Sequence, residues 1–262
     1  MNPTVLRRPV VMPSEGSSGV VTVFDGDARV GARECRVRCL STPGRDFLWV
    51  SGAGAFAIPH EGDRVEADPE LAAGDAMIEE ALLGPAFALA LARRGVFLFH
   101  ASAVVLGPGV VGFLGESGAG KSTLARLLAE AGAALAADDI LAVEEAMALP
   151  HFPQLKLGEE AMAAILALEP RLPLLGLYEL APGDRVGIEE LPAVSATALL
   201  LRHTIAGRLF ASDLLAAQLD FAARLAGRVP VRWLRMPRRM DVGDEVLGRL
   251  TRTHRRSRTH TD

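Results

Sequence analysis

Cysteine is nearly absent. Cys35 and Cys39 are the only two among 262 residues. Their C-x3-C spacing has no second pair and no nearby histidine, which argues against a four-ligand zinc site. In "ECRVRCL" apolar residues alternate with Arg36 and Arg38. On a strand, Cys35, Val37 and Cys39 then share one face and belong to a core. Long apolar runs are also missing. The most apolar stretch is "ALLGPAFALALA", Ala81 to Ala92, set between Glu79-Glu80 and Arg93-Arg94. A membrane span needs about 20 residues, so this stretch predicts a buried helix entered near Gly84-Pro85, where proline suits a first turn. The first residues, "MNPTVLRRPVVMPSEG", lack the apolar core of a signal peptide. Together with so few cysteines, this predicts a reducing, cytoplasmic setting and no membrane partner. Neither sign of charge dominates: 28 Lys and Arg stand against 32 Asp and Glu, a net −4. Nothing in that balance favours nucleic acid as a partner.

What is present is the material for a core. Hydrophobic residues make up 50% and charged residues 23%, a globular composition for one large domain or a small domain beside a larger one. Residues 1–18 read as a loose N-terminus. Residues 19–94 read as a β-rich subdomain with a linking helix. Its short apolar runs are punctuated by Asp-Gly and Pro-Gly turns, a pattern for a small antiparallel sheet, and a helix is expected over 70–94. "GAGAFA" within it brushes against a dinucleotide fingerprint but has alanine at the sixth position and no helix after it. Residues 95–250 mix strands and helices and read as an α/β core. Residues 251–262, within "RLTRTHRRSRTHTD", read as a basic disordered tail or as a handle for an acidic partner.

The most specific segment is "GESGAGKST", Gly115 to Thr123. It fits G-x-x-x-x-G-K-[ST], the Walker A phosphate loop. "VVGFLG" before it reads as a strand and "KSTLARLLAEAG" after it as a helix stopped by Gly132. Such a loop presents backbone N–H groups to an anion at a helix N-terminus. The expected ATP-binding residues are Gly115, Glu116, Ser117, Gly118, Ala119, Gly120, Lys121, Ser122 and Thr123. Lys121 is expected to reach the β- and γ-phosphates, and Ser122 to hold Mg²⁺ through its hydroxyl.

Two further elements flank the loop. Asp138 and Asp139 lie one helix and one strand beyond Lys121, in "AALAADDILAVEEA". In a parallel sheet this places them at the carboxyl end of the neighbouring strand. One of the pair is suited to hold metal and the other to take a proton from a hydroxyl nucleophile. His100 sits on the preceding strand, in "FLFHASAVV", where a lone histidine is as readily a core residue as a catalytic one.

Taken in order, "FHASAVVL…VVGFLGESGAGKSTLARLLAEAGAALAADDI" resembles the HPr kinase/phosphorylase family. These are bacterial serine kinases with a phosphate loop, akin in fold to phosphoenolpyruvate carboxykinase. The close resemblance spans His100 to Asp139 and extends more weakly through "FPQLKL" and "GDRVGI". It implies a P-loop kinase core with a small N-terminal antiparallel β subdomain. It also implies Asp138 as the general base toward a serine hydroxyl, Asp139 as its metal-side neighbour, and His100 beside the transferred phosphate. Lys156 and Arg185 would contact phosphate or acceptor. Because the family often forms rings, a homo-oligomer is implied as well. No "EIRG"-like segment is legible between the aspartates and the C-terminal helices, so the resemblance does not carry HPr as acceptor or a reverse phosphorolysis. The chain looks more like divergent members of bacterial gene clusters, some of which phosphorylate a serine on a ribosomally made precursor, as in lasso peptide tailoring.

The expected function is therefore an ATP- and Mg²⁺-dependent kinase acting on a serine of a peptide or small protein. The alternatives are a small-molecule kinase, on free serine or another metabolite, and a non-catalytic nucleotide-binding regulator.

Overall fold

The computed structural model describes residues 2–68 and 75–258, with side chains described as far as His254. The molecule is a mixed α/β protein with two sheets. It divides into two compact units, Met1–Leu98 with Thr204–Asp220, and Phe99–His203 with Phe221–Asp262.

The first unit is built on a six-stranded sheet. Its strands are β1 (Thr4–Arg7), β2 (Val21–Val30), β3 (Arg33–Thr42), β4 (Arg45–Val50), β5 (Gly54–Pro59) and β6 (Arg64–Ala67), in the order β1-β6-β5-β4-β3-β2. From β2 to β6 it is an antiparallel meander. Thr4–Arg7, within the stretch read as loose, joins it as a strand parallel to β6. A pairing between the start of the chain and residues 64–67 has no local sequence signature. As expected, Cys35, Val37 and Cys39 are buried, while Arg36 and Arg38 turn outward onto Asp25. Burial pushes the Cys39 thiol up to about 12. A polar knot lies deeper. The Asp46 carboxylate, 2% exposed, accepts from Ser41 Oγ at 2.7 Å and from Arg93 Nη2 at 2.7 Å. Arg93 also pairs with Asp213.

The apolar stretch 81–92 is helical and buried, but the helix does not start at its proline. It begins at α1 (Ala76–Ala81), capped by the Asp75 side chain, passes a π turn at Leu82–Ala86, and continues as α2 (Phe87–Arg93). Pro85 lies inside the π turn. The widened turn accommodates a residue that has no N–H to donate. The part of this helix expected over 70–74 lies outside the described residues.

The second unit is built on an eight-stranded sheet. The remaining elements, in chain order, are β7 (Val96–Leu106), β8 (Gly109–Leu114), α3 (Lys121–Glu130), β9 (Ala134–Ala137), β10 (Ile140–Glu144), β11 (Met147–Ala148), α4 (Glu159–Leu166), β12 (Leu172–Pro182), β13 (Gly187–Glu190), α5 (Ala193–His203), α6 (Ser212–Arg228), β14 (Val231–Met236) and α7 (Gly243–Arg258); the start of β7 and α6 as far as Asp220 belong to the first unit. The sheet runs β11-β10-β7-β8-β12-β14-β13, and β9 also pairs with β7. Because β11 pairs with β12 as well as β10, the path β11-β10-β7-β8-β12 closes on itself. After β12, β13 pairs antiparallel with β14, which lies parallel beside β12. Under the sheet, Leu124, Leu127 and Leu128 of α3 pack with Val246 and Leu250 of α7 and with Val111, Phe113 and Tyr178. Full burial of such side chains contributes about 1.5–3 kcal/mol each. The chain read as a tail from residue 251 is helical to Arg258. Its His254 Nε2 meets the Tyr178 hydroxyl at 2.9 Å, and residues 259–262 lie outside the described residues.

Candidate functional site

The Gly115–Thr123 loop connects β8 to α3, strand before and helix after. Gly118 and Gly120 have φ of 81° and 96°, backbone that a Cβ disfavours. Gly120 is the N-cap of α3, and no side chain closes that end. The helix therefore begins with unclaimed backbone N–H groups, the feature that makes a helix N-terminus attract anions. Lys121 is 6% exposed and folds back on the loop, donating to the Gly115 carbonyl at 2.7 Å and the Glu116 carbonyl at 3.2 Å. Burial holds its ammonium below the usual lysine range.

The two aspartates do not lie on the strand next to the loop. β7 stands between them and β8, antiparallel to both β8 and β9. The strand expected to run through the aspartates is broken there, into β9 and β10. Ala101 registers with Leu114 on one side of β7, and Ala103 with Ala137 on the other. The ends of β8 and β9 thus flank the His100–Ser102 stretch, which brings the loop and the aspartates to the same edge of the sheet.

There the aspartates diverge. Asp138 Oδ1 accepts from Ser102 Oγ at 2.7 Å. Asp139 has φ 85°, a left-handed backbone that costs an L-residue about 1 kcal/mol. Its carboxylate lies 3.3 Å from His100 Nδ1 and 2.9 Å from Lys156 Nζ. Burial, reinforced by the charges of Lys121 and Lys156, lowers the His100 pKa despite the opposing Asp139 charge. The imidazole is thus held toward its neutral form.

A cavity of about 320 Å³ opens beside the loop, lined by Ser122, Thr123, Arg126, Leu135, Asp138 and Leu157 among others. Ser122 and Asp138 both line it. Among the described residues no cluster of three or more His, Cys, Asp or Glu side chains is arranged to hold a metal ion. One hydroxyl beside one or two carboxylates fits Mg²⁺, which takes much of its octahedral shell from phosphate oxygens and water.

The structure therefore gathers His100, Lys121, Asp138, Asp139 and Lys156, with Ser122 and Thr123 on the cavity. Arg185 is exposed in the turn between β12 and β13.

Several residues at the site were not anticipated. Ser102 had a signal, since it sits two residues after His100 on one strand and so on the same face. Glu179 registers with Leu114 on the neighbouring strand β12. It accepts from Trp233 Nε1 at 3.0 Å and pairs with Arg202, whose Nε is also 3.8 Å from Glu116 of the loop. Beside it, the buried His203 has its Nε2 3.7 Å from Glu179, beyond hydrogen-bond reach, and without another partner among the described residues. Nothing in "LLGLYEL" announces that position, which depends on the order of strands.

The sequence matches no established family model and no curated protein. Among solved structures, the fold is similar to that of the Hpr(Ser) kinase/phosphatase from Coxiella burnetii, at 15% identity and a TM-score of 0.33, over 62% of this chain and 98% of that one. An overlap this loose carries no weight for chemistry. Among the described residues no helix is long and apolar enough to cross a membrane.

Proposed function

We propose that the chain is an ATP- and Mg²⁺-dependent kinase that transfers the γ-phosphoryl group to a serine hydroxyl of a peptide or small protein. The observation that carries this reading is the shared cavity, which Ser122 and Thr123 at the start of α3 line together with Asp138. The sequence resemblance to HPr-kinase-like proteins supports it independently.

In this reading the loop amides and Lys121 exchange the loop's own carbonyl contacts for the β- and γ-phosphate oxygens of ATP. Ser122 and Asp139 would hold Mg²⁺, which when bound would supply neutralisation of charge on the phosphates. Ser102 fixes one oxygen of Asp138, and the other accepts the proton of the acceptor hydroxyl. As that proton leaves, the serine oxygen bonds to the γ-phosphorus and the bond from phosphorus to the β–γ bridging oxygen breaks. The products are a phosphoserine and ADP, with the proton left on Asp138. His100, held toward neutrality, lies next to Asp139 without adding a fixed charge. Most of the work is positioning and charge neutralisation.

The cavity's size also suits a small acceptor such as free serine. The deciding experiment begins with ATP turnover by the purified protein in Mg²⁺ without acceptor, beside Asp138→Asn. Tight ATP binding with negligible turnover is expected, followed by mass spectrometry of serine-containing peptides encoded nearby and of free serine. Robust hydrolysis lost in the variant would replace the kinase with an NTPase. ATP binding with Asp138→Asn fully active in its biological setting would leave only a regulator.

A further inference from the structure

The segment between β11 and α4 carries "FPQLKL", and its Gln154 is 7% exposed with every polar atom of its amide engaged. Gln154 Oε1 accepts from the Asp138 backbone N–H at 3.0 Å. Its Nε2 donates to the Ile140 carbonyl at 2.8 Å and to the Phe152 carbonyl at 3.1 Å. The side chain therefore grips the backbone on both sides of Asp139, the residue with positive φ. From the other side, the Ala101 N–H donates to the Asp139 carbonyl at 3.2 Å. Two residues beyond Gln154, Lys156 pairs with the Asp139 carboxylate itself. A strained backbone persists only where its surroundings over-determine it, and here the surroundings are one buried amide and one strand N–H.

We propose that Gln154 is a positioning residue that fixes the backbone of the Asp138–Asp139 pair, and thereby aims the two carboxylates at the metal–nucleotide site. The inference rests on the kinase reading for what the carboxylates hold, but its geometric part stands without it. The Gln154 amide is engaged by backbone groups on both its oxygen and its nitrogen. It acts through the break between β9 and β10, where a regular strand would point adjacent side chains to opposite faces.

The test uses the full chain and three readouts on Gln154→Met, which keeps the length and loses the amide. The first is hydrogen exchange of the peptide spanning 137–141. The second is Mn²⁺ affinity in the presence of ADP, read by electron paramagnetic resonance. The third is ADP affinity in EDTA. Faster exchange is expected at 137–141, with Mn²⁺ affinity weakened about tenfold or more, the range for residues that orient metal ligands, and metal-free ADP affinity within about twofold of wild type. A merely structural role would lower both affinities together. Gln154→Glu keeps the acceptor for the Asp138 N–H but lacks the amide donors, and serves if the methionine variant folds poorly. It is also expected to bind Mn²⁺ less tightly than wild type. Unchanged exchange, or unchanged Mn²⁺ affinity, overturns the proposal. If wild type itself fails to bind Mn²⁺ with ADP, the kinase reading falls and takes the metal-aiming role with it, a pattern distinct from a silent variant.

Discussion

Ser102 Oγ donates to Asp138 Oδ1 across 2.7 Å, joining the middle strand of the site to its first carboxylate. Ser102 is fully buried, so no water replaces it. Ser102→Ala is expected to cost about 1 kcal/mol of stability, the usual worth of such a bond. ATP affinity should remain near wild type, while any phosphoryl transfer slows several-fold because Asp138 is no longer held. Urea unfolding and nucleotide titration check the two halves separately. A variant with wild-type turnover would remove Ser102 from the machinery.

Trp233 and Glu116 are linked through Glu179 and Arg202. Nucleotide arriving at the loop should therefore disturb Trp233. Mg·ATP is expected to shift tryptophan emission in wild type and in Trp49→Phe, but not in Trp233→Phe. These are the only two tryptophans, so the assignment is complete. A signal that survives only through Trp49 would break the link.

Three histidines, His100, His203 and His254, have pKa values lowered chiefly by burial, that of His254 to about 4. Each is less ready to take a proton when folded than when unfolded, where the value is near 6.5. Stability is then full above 6.5 and declines as pH falls toward 4, because the unfolded chain binds the protons first. Urea midpoints should drop between pH 7.5 and pH 5.5. His254→Gln, which keeps a polar partner for the Tyr178 hydroxyl but does not titrate, should flatten that drop. An unchanged slope would mean that His254 is protonated in the folded protein.

Gly109 sits where β8 meets β12. A Cβ there would lie 2.3 Å from the Pro173 carbonyl oxygen and 2.9 Å from Leu175 Cγ. Backbone cannot step aside as a side-chain tip can. Gly109→Ala is expected to destabilise by about 1–3 kcal/mol or more, measured by thermal or urea unfolding. Gly107→Ala is less informative, since that glycine has positive φ and its strain would mask a packing effect.

The loop and its helix were legible because their signals are local: glycines at fixed spacing, a lysine, and leucines recurring on one face. The core strand through Cys35, Val37 and Cys39 was legible for the same reason, from strict alternation. What lay hidden was order in the sheet. The position of β7 between Asp138 and the loop, the pairing of Thr4–Arg7 with β6, and the placing of Glu179 beside Leu114 all depend on partners distant in the chain. Pro85 looked like a helix start because proline usually is one; a π turn let the helix begin earlier.

The first unit is not continuous in the chain: Thr204–Asp220 belongs to it as much as the first 98 residues do. Cys39 Sγ meets the Leu209 carbonyl at 3.5 Å, Phe97 stacks edge-on against Phe210, and Arg93 pairs with Asp213. On the ribosome, the strands of this unit must therefore wait for Thr204–Asp220, which is made well after them. Asp46 and Arg93 can find one another early, but the surface that receives Phe210 stays open until the polypeptide has grown past residue 220. A nascent chain stalled before that point exposes an unfinished edge.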